Sequence, residues 1–366
     1  MIVLNMIVKD EADVIERCLN SVLGFVDAVV ISDTGSADNT VELILNWQRE
    51  NNIPGKLVEH NWKNFEHNRN LALESCKEWI SSKNTFEKRE ETSYICFMDA
   101  DDTLVWSDKS SCLNSDRVRI QMRFDNMRYN RRFLVKSDLV SSWEGVVHEY
   151  LQTEGPWSQA GEAYVSVGTD GARNKNPLKF LKDAYTLEEA LETEPNNSRN
   201  LFYLAQSYRD FRDHNYYILA EKLYLQRVEN LKYPEERYIS FLEAGKCRLY
   251  RGKNNEKTLN LFMQAFSFRP ERLEAAYYIV KYFRAKKLYA MGYHFGKHLL
   301  DTRISEEDNL FIDTDIYTWK FKDEVAICAF WSGDKTLYLY LYNTILKEDI
   351  PKEARFRVER DLSQFV

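Results

Sequence analysis

The sequence predicts two domains of different fold class, a mainly parallel α/β domain over residues 1–176 and an all-helical domain over residues 177–366. Three observations lead to this prediction. The chain has 366 residues, more than one ordinary core organises, and 44% of them are hydrophobic, enough for two cores. Apolar strands alternate with helices in roughly the first hundred residues. From about Pro177 onward, the apolar spacing is helical throughout.

Four short apolar segments in the first half have the composition of buried strands: 2–8, 28–31, 56–59 and 94–98. Segments with helical apolar spacing separate them, at 13–23, from Asn39 or Thr40 to Glu50, and at 65–80. This alternation is typical of a parallel sheet that is covered on both faces. Ligands bind beyond the carboxyl ends of the strands in such sheets, so we expect the functional residues there.

The second half shows weak internal repetition, and residues 174–177 mark the predicted domain boundary. Pro195, Pro234 and Pro270 recur at intervals of 39 and 36 residues, with small residues such as Ala205 and Gly245 at corresponding positions. Helix pairs of about 34 residues with small residues where they pack resemble tetratricopeptide repeats. A plain helical bundle is the alternative.

The charge and the cysteines restrict the class of protein. A formal net charge of -7 argues against nucleic acid as the main partner, because phosphate binding needs a basic field. The six cysteines lack the spacing of metal ligands, which favours reduced thiols. The apolar run at 2–8 is too short for a signal peptide, and no segment reaches the length of a transmembrane helix. We therefore expect a cytoplasmic protein.

The strongest chemical signal is the acidic sequence Asp99-Ala100-Asp101-Asp102, directly after the fourth apolar strand. Alternate carboxylates at a strand end can face one cleft and hold a divalent cation, Mn²⁺ or Mg²⁺, which neutralises a diphosphate leaving group. An acidic loop or a helix cap is the alternative interpretation.

Two further motifs lie where the predicted fold would place ligand-binding residues. Asp33-Thr34-Gly35-Ser36 follows the second strand, where Gly35 permits a tight turn and Asp33 can accept a hydrogen bond from a base. Arg69 lies one turn inside the third helix and can reach a phosphate or a base. A plain turn and a solvated helix start would carry the same residues.

Five ordered motifs together resemble family 2 glycosyltransferases, which have the GT-A fold. The motifs are Asn5 to Glu11, Asp33 to Ser36, the NF-x-x-x-RN element from Asn64 to Asn70, the DXD motif Asp99 to Asp101, and Trp143 to Glu149. The resemblance covers about residues 1 to 185, and the similar branch carries C-terminal tetratricopeptide-like helices. Peptide S-glycosyltransferases are among its relatives. This sequence departs from the pattern at Glu66-His67 and in a charged insertion at 83–92.

The resemblance implies a role for each matching residue. Asp10 or Glu11 and Asp33 would lie around the nucleobase and ribose, with Gly35 and Ser36 in the same nucleotide motif. Asp99 would contact ribose or metal, and Asp101 would be the direct metal ligand. His148 is a further candidate for a metal or diphosphate ligand, because imidazole suits Mn²⁺; a loop histidine with a structural role is the alternative.

An inverting transfer needs a general base that deprotonates the acceptor. The candidates are Glu149 and Glu144, with Asp102 third. Neighbouring residues in a strand point to opposite faces, so His148 and Glu149 can both serve the site only if their segment is a turn.

The predicted function is a metal-dependent, inverting transfer of a sugar from a nucleotide diphosphate sugar, with a UDP-sugar favoured, to a protein, peptide or glycan acceptor. The alternative is a repeat scaffold that binds a protein partner through an inactive nucleotide-sugar domain. A nucleotidyltransferase would carry a glycine-rich triphosphate loop near the first strand, and the sequence has none. The helical half is expected to bind the acceptor, or to form a homodimer, through a surface rich in tyrosine: Tyr203, Tyr208, Tyr216, Tyr217, Tyr277 and Tyr278. Packing of these tyrosines between helices is the alternative.

Overall fold

The computed structural model describes residues 1–87, 93–113, 115–230, 232–305 and 307–363. The chain divides into two compact units. One comprises Met1–Asp125 and Tyr129–Pro195, and the other comprises Asn126–Arg128 and Asn196–Val366. The boundary at residue 176 stays a prediction. Of the charged insertion, residues 88–92 lie outside the described residues.

A mixed sheet, with four neighbouring parallel strands at one side of it, forms the first unit. Its strands lie in the order β3-β2-β1-β4-β7-β6-β10-β5. Strand β1 pairs in parallel with β2 and β4, and β2 pairs in parallel with β3, whereas β4 pairs with β7 in the antiparallel sense. Strands β8 and β9 form a separate antiparallel hairpin. The strands are β1 (Ile2–Val8), β2 (Ala28–Asp33), β3 (Gly55–Glu59), β4 (Tyr94–Phe97), β5 (Thr103–Val105), β6 (Arg117–Phe124), β7 (Met127–Lys136), β8 (Ser142–Glu144), β9 (Tyr150–Gln152) and β10 (Ser158–Ser166).

Helices cover both faces of the parallel strands, as the apolar runs predict. The helices of this unit are α1 (Ile15–Ser21), α2 (Thr40–Glu50), α3 (Phe65–Glu87) and α4 (Lys179–Thr193). Residues 2, 4, 6 and 8 of β1 pack into a core with α1 and α2, while Val3 packs into a second core with α3. Asn5, on the same face of β1 as Val3, is buried, and its amide donates to the Val30 and Ala72 carbonyls at 3.1 and 2.9 Å. This hydrogen bonding fixes α3 on the sheet.

The second unit is helical. Its helices are α5 (Ser198–Asp210), α6 (His214–Arg227), α7 (Pro234–Tyr250), α8 (Glu256–Phe268), α9 (Leu273–Ala285), α10 (Tyr289–Gly296), α11 (Phe321–Trp331), α12 (Lys335–Ile345) and α13 (Lys352–Ser363). A short strand, β11 (Ile312–Asp313), pairs with Met127 and Arg128, which belong to this unit. From α5 to α12, each helix packs against the next in the chain.

Small residues and prolines occupy the positions that the repeat pattern predicts. A Cβ on Gly245 would lie 2.5 Å from the Phe262 ring, so only glycine allows α7 and α8 to pack this closely. Pro234 is the first residue of α7, where its missing N–H costs nothing. The predicted fold class is therefore confirmed, an α/β domain followed by tetratricopeptide-like helices.

The cysteines are all free and buried, consistent with reduced thiols. Among the residues that the structure describes, no helix combines the length and apolar character needed to cross a bilayer.

Candidate functional site

The polar residues predicted for the site follow three parallel strands at one edge of the sheet. Asp10 follows β1, Asp33 is the last residue of β2, and Asp99 follows β4. Because these strands run in parallel, their carboxyl ends meet at the same edge. The carboxylates after β4 begin a turn in which the Asp102 N–H donates to the Asp99 carbonyl at 3.2 Å.

Side chains of alternating charge form a row at this edge, which we call the charged row: Glu149, Arg69, Asp99, Arg131 and Asp102. Arg69 pairs with Glu149, and its Nη2 lies 2.6 Å from Asp99 Oδ1. Arg131 Nη1 lies 2.5 Å from Asp99 Oδ2 and 3.6 Å from Asp102 Oδ2. Burial alone would raise the pKa of Asp99, but Arg131 and Arg69 outweigh it and hold the pKa well below its ordinary value. Asp99 is therefore a firmly ionised carboxylate with both oxygens paired.

Asp102 is in a different electrostatic environment. It is 2% exposed, and its Oδ1 accepts from the Gly168 N–H at 3.2 Å. Its Oδ2 is buried without a hydrogen-bond donor. Burial and the nearby charge of Asp99 raise its pKa to about 7. A carboxyl group with this pKa can exchange a proton near neutral pH.

Residues 168–175, the covering segment, pack directly on Asp101 and Glu11. A Cβ on Gly168 would come within 2.0 Å of the Asp101 carbonyl oxygen, so only glycine fits there. Asn174 Nδ2 donates to Asp101 Oδ2 at 3.2 Å, and the Ala172 N–H donates to Glu11 Oε2 at 3.1 Å. The covering segment thus closes around two carboxylates that the sequence predicts for the site.

Burial raises the pKa values of both carboxyl groups beneath the covering segment. Desolvation is the largest effect on Glu11, and with the nearby charge of Asp101 it raises the pKa to about 7, although the hydrogen bond from Ala172 acts against it. Burial, followed by the charge of Asp99, also raises the pKa of Asp101. The charge of Asp101 thus disfavours the ionised form of Glu11, and the charge of Asp99 disfavours that of Asp101.

The predicted nucleotide motif forms a tight turn held by its own side chains. Asp33 Oδ2 accepts from the N–H groups of Gly35 and Ser36, both at 3.0 Å, and its Oδ1 accepts from the Ser36 hydroxyl. Gly35 has a φ of 101°, a left-handed conformation that favours glycine. Asp10 joins this turn by accepting from the Ala37 N–H at 2.7 Å. The local role of Asp33 is structural, and its contact with a nucleobase stays a prediction.

The N-terminal part of α3 holds β8 and the loop that follows it. Glu66 Oε2 accepts from the Gly145 N–H at 2.9 Å, and Asn70 exchanges two hydrogen bonds with the Trp143 backbone. The Arg69 guanidinium lies 4.9 Å from the centre of the Trp143 ring. The contact of Arg69 with a phosphate or a base stays a prediction; in this structure its guanidinium pairs with both Asp99 and Glu149.

The loop that carries His148 and Glu149 is a turn and not a strand. Gly145 and His148 have φ values of 106° and 54°, both left-handed. The alternation that would separate the two neighbours therefore does not apply. Among the candidate bases, Glu149 pairs with Arg69, and Glu144 Oε2 accepts from the Tyr150 hydroxyl at 2.5 Å.

The predicted metal ligands do not form a complete cluster. In the described part of the chain, no three His, Cys, Asp or Glu side chains are arranged so that they could hold a metal ion, and a metal site made by Asp99, Asp101 and His148 stays a prediction. The donor chemistry nevertheless fits Mg²⁺ or Mn²⁺, because hard cations of this size often take one or two carboxylates and complete their shell with substrate phosphates and water. The buried Asp102 Oδ2, which lacks a hydrogen bond, supports this fit.

Several residues of the site were missed by sequence reasoning. Arg131 lies in an arginine-rich stretch, 117–132, to which no role is predicted, and Asn174 carries no local signal of its role. Asn70 belongs to the NF-x-x-x-RN element, but its contact with Trp143 is not predicted from that motif. Arg17 on α1 pairs with Asp170 of the covering segment at 2.6 Å and also donates to the Asp101 carbonyl at 2.8 Å. Only contacts between distant parts of the sequence reveal these positions.

Comparison with known families finds one matching model, glycosyl transferase family 2, over residues 4–105. The matched segment runs from β1 through the carboxylates after β4 and ends with β5. No match is found among curated protein sequences.

Three of the solved structures that match the chain are the following. S. aureus TarS 1-349 in complex with UDP-GlcNAc is 15% identical, covers 80% of this chain and 92% of its own, and has a TM-score of 0.33. A thermophilic tetratricopeptide-repeat protein from Thermus thermophilus is 16% identical, with coverages of 51% and 92% and a TM-score of 0.33. The protein MamA is 12% identical, with coverages of 48% and 93% and a TM-score of 0.36.

Proposed function

From the match of residues 4–105 to glycosyl transferase family 2, we propose that the chain is a metal-dependent, inverting glycosyltransferase that uses a nucleotide diphosphate sugar. The observation that supports the proposal is the grouping of Asp99, Asp101 and Asp102 with two arginines at the carboxyl edge of parallel strands. Carboxylates can hold a cation, and guanidinium groups can pair with phosphate oxygens, so the edge offers partners for a diphosphate.

Different residues of the site would bind different parts of the donor. Asp101 would hold a divalent cation, with Asp99 or Asp102 as the second carboxylate and His148 as a further candidate. That cation would neutralise the charge that develops on the diphosphate as the glycosyl bond breaks. For Asp99 to contribute, one of its arginines must change partner, and the diphosphate is a suitable new partner for Arg69 or Arg131. Asp10, Glu11 and the turn at Asp33, Gly35 and Ser36 would surround the nucleoside.

Glu149 is the base that we favour for deprotonating the acceptor. Arg69 binds one of its carboxylate oxygens and so fixes the direction of the other. Its position on a turn held by α3 suits a group that must keep a constant orientation. Glu144 and Asp102 stay as alternatives, the latter because its pKa of about 7 suits proton transfer at neutral pH.

We favour a UDP-sugar as donor and a protein, peptide or glycan as acceptor. The acceptor class is inferred from the helical unit, because stacked helix pairs present extended surfaces that commonly hold peptides or partner chains. Of the tyrosines expected to make contact, Tyr203 and Tyr208 are buried and pack within the unit, whereas Tyr216, Tyr217, Tyr277 and Tyr278 are partly exposed.

A panel of nucleotide sugars with Mn²⁺ tests the function. We expect hydrolysis of at least one UDP-sugar, and a rise in melting temperature with UDP and Mn²⁺ that exceeds the rise with other nucleoside diphosphates. A ligand that binds only the folded state stabilises it by about 2.7 kcal/mol at 100 times its Kd. Asp138→Ala, which alters an exposed aspartate, is the control. If no nucleotide diphosphate with a metal causes a shift, the proposal is wrong.

A further inference from the structure

Asn70 makes an unusual contact for a helix side chain. Its Nδ2 donates to the Trp143 carbonyl at 2.9 Å, and its Oδ1 accepts from the Trp143 N–H at 2.8 Å. The amide thus satisfies both polar groups of one residue in β8, as a neighbouring strand would. Trp143 is itself buried and packs edge-on against Phe97, the last residue of β4, with ring centres 5.1 Å apart. Asn70 therefore fixes the backbone at a point anchored close to Asp99.

The chain between Trp143 and Glu149 needs such a fixed point. It passes through Gly145 and His148, both with positive φ, and a histidine in this conformation is less stable than in an ordinary one. Conformations of this kind persist only when their surroundings hold them. Glu66 and Arg69 supply two further contacts from the same helix face, to the Gly145 N–H and to the Trp143 ring.

We propose that Asn70 is a positioning residue, which holds the loop 143–149 so that the Glu149 carboxylate keeps its orientation toward the acceptor. The inference rests on the proposed role of Glu149 as base. It assigns no donor contact to Asn70, because its amide is already used on both sides by Trp143. Within the motif at the start of α3, Glu66 and Asn70 then serve acceptor activation and not nucleotide binding.

The first measurement follows the loop itself and does not depend on activity. In Asn70→Ala, the Trp143 N–H loses its acceptor, and we expect hydrogen–deuterium exchange in residues 142–152 to become about tenfold faster. Asn70→Asp keeps an oxygen for that N–H and should show a smaller effect; it also serves if the alanine variant does not fold. Asn51→Ala removes a comparable amide-to-carbonyl bond, to Trp47 at 2.9 Å, and should leave the loop unchanged.

The second measurement separates positioning from general stability. We expect Asn70→Ala to lower the kcat for sugar transfer by about 10²-fold, because small misplacements of a reacting group have effects of this size. The Kd for UDP with Mn²⁺ should stay unchanged. In a Glu149→Gln background, the same substitution should have little further effect, because two changes that act through one group are not additive.

The outcomes distinguish the inference from the function on which it rests. Unchanged exchange in 142–152 would overturn the positioning role whatever the activity. Faster exchange with an unchanged kcat would overturn it too, and so would an equal loss of rate in the Glu149→Gln background. If Glu149→Gln alone retains the full rate, the proposed base is wrong, and the exchange result still reports whether Asn70 holds the loop.

Discussion

Asp99, Asp101 and Asp102 are neighbours in the chain but differ in their surroundings. Two arginines pair with Asp99. The covering segment, which includes Asn174, surrounds Asp101. Asp102 is buried, and one of its oxygens lacks a hydrogen bond. Desolvation acts on all three, and the arginines reverse its effect only at Asp99. Substitutions of the three residues should therefore have different consequences.

Replacing Asp101 should abolish transfer without unfolding the protein. In Asp101→Ala, we expect activity to fall below detection and metal-dependent nucleotide binding to disappear, since the direct ligand is lost. The fold should survive, because the carboxylate is only half-buried and a crowded anion contributes little to packing. Activity assays, calorimetry with UDP and Mn²⁺, and circular dichroism check these outcomes. Full activity of the variant, or of the wild type in EDTA, would contradict the metal assignment.

The choice of base can be tested by comparing three isosteric variants. Glu149→Gln should lose transfer by at least about 10²-fold but bind donor normally, because glutamine keeps the shape and removes the basicity. Glu144→Gln and Asp102→Asn are the comparisons, measured under identical conditions for kcat and donor Kd. If one of these variants loses transfer but binds the donor normally, and Glu149→Gln does not, that residue replaces Glu149 as the base.

The raised pKa of Glu11 predicts a pH-dependent effect on stability. A pKa raised to about 7 means that the folded state binds this proton more tightly than the unfolded state does. The stabilisation is complete below the ordinary pKa of glutamate, about 4.5, and is lost as pH rises through 7. Relative to wild type, Glu11→Gln should therefore gain melting temperature between pH 5 and about 8. A difference that is constant across this range would show that Glu11 does not titrate as described.

At the scale of elements, the covering segment depends on glycines that admit no side chain. Gly168→Ala would place a Cβ 2.0 Å from the Asp101 carbonyl, so the segment or the carboxylate turn must move. We expect a loss of about 1–3 kcal/mol of stability together with weaker donor binding. Gly333→Ala in the second unit, strained only by its positive φ of 92°, should lower stability and leave donor binding intact. Normal nucleotide affinity in Gly168→Ala would show that the covering segment does not contribute to donor binding.

Local patterns predicted the elements whose signal lies within their own residues. The parallel strands and the acidic turn after β4 were predicted because apolar runs and adjacent carboxylates are visible in the sequence. Helix α3 extends to Glu87 beyond its predicted end at residue 80, because the polar residues after Ile80 carry no apolar period. Arg131 was missed because its part of β7 is half-buried on both sides and shows no alternation. The pairing of Asn70 with Trp143 joins positions 73 residues apart, which no local pattern encodes.

At the scale of the whole molecule, the role of the helical unit can be tested by truncation. A chain ending at residue 195 keeps α4, whose Asp183 pairs with Arg173. If this chain folds, we expect slow donor hydrolysis to remain and transfer to a large acceptor to be lost. Light scattering on both chains tests the alternative role. If the full chain is a dimer, the truncated chain is a monomer and acceptor transfer is unchanged, the helical unit serves dimerisation and not acceptor binding.

The charged row also affects how an anionic substrate approaches the enzyme. In sequence, the sheet edge looks strongly acidic, and such an edge would repel a diphosphate over distances of about 10 Å. In the structure, two guanidinium groups offset the firmly ionised Asp99 and its neighbour Glu149, and Glu11 and Asp102 are partly protonated at neutral pH. Fewer uncompensated negative charges therefore face the substrate than the number of acids suggests. We expect nucleotide association to slow as the pH rises above 8, because Glu11 and Asp102 then become fully ionised.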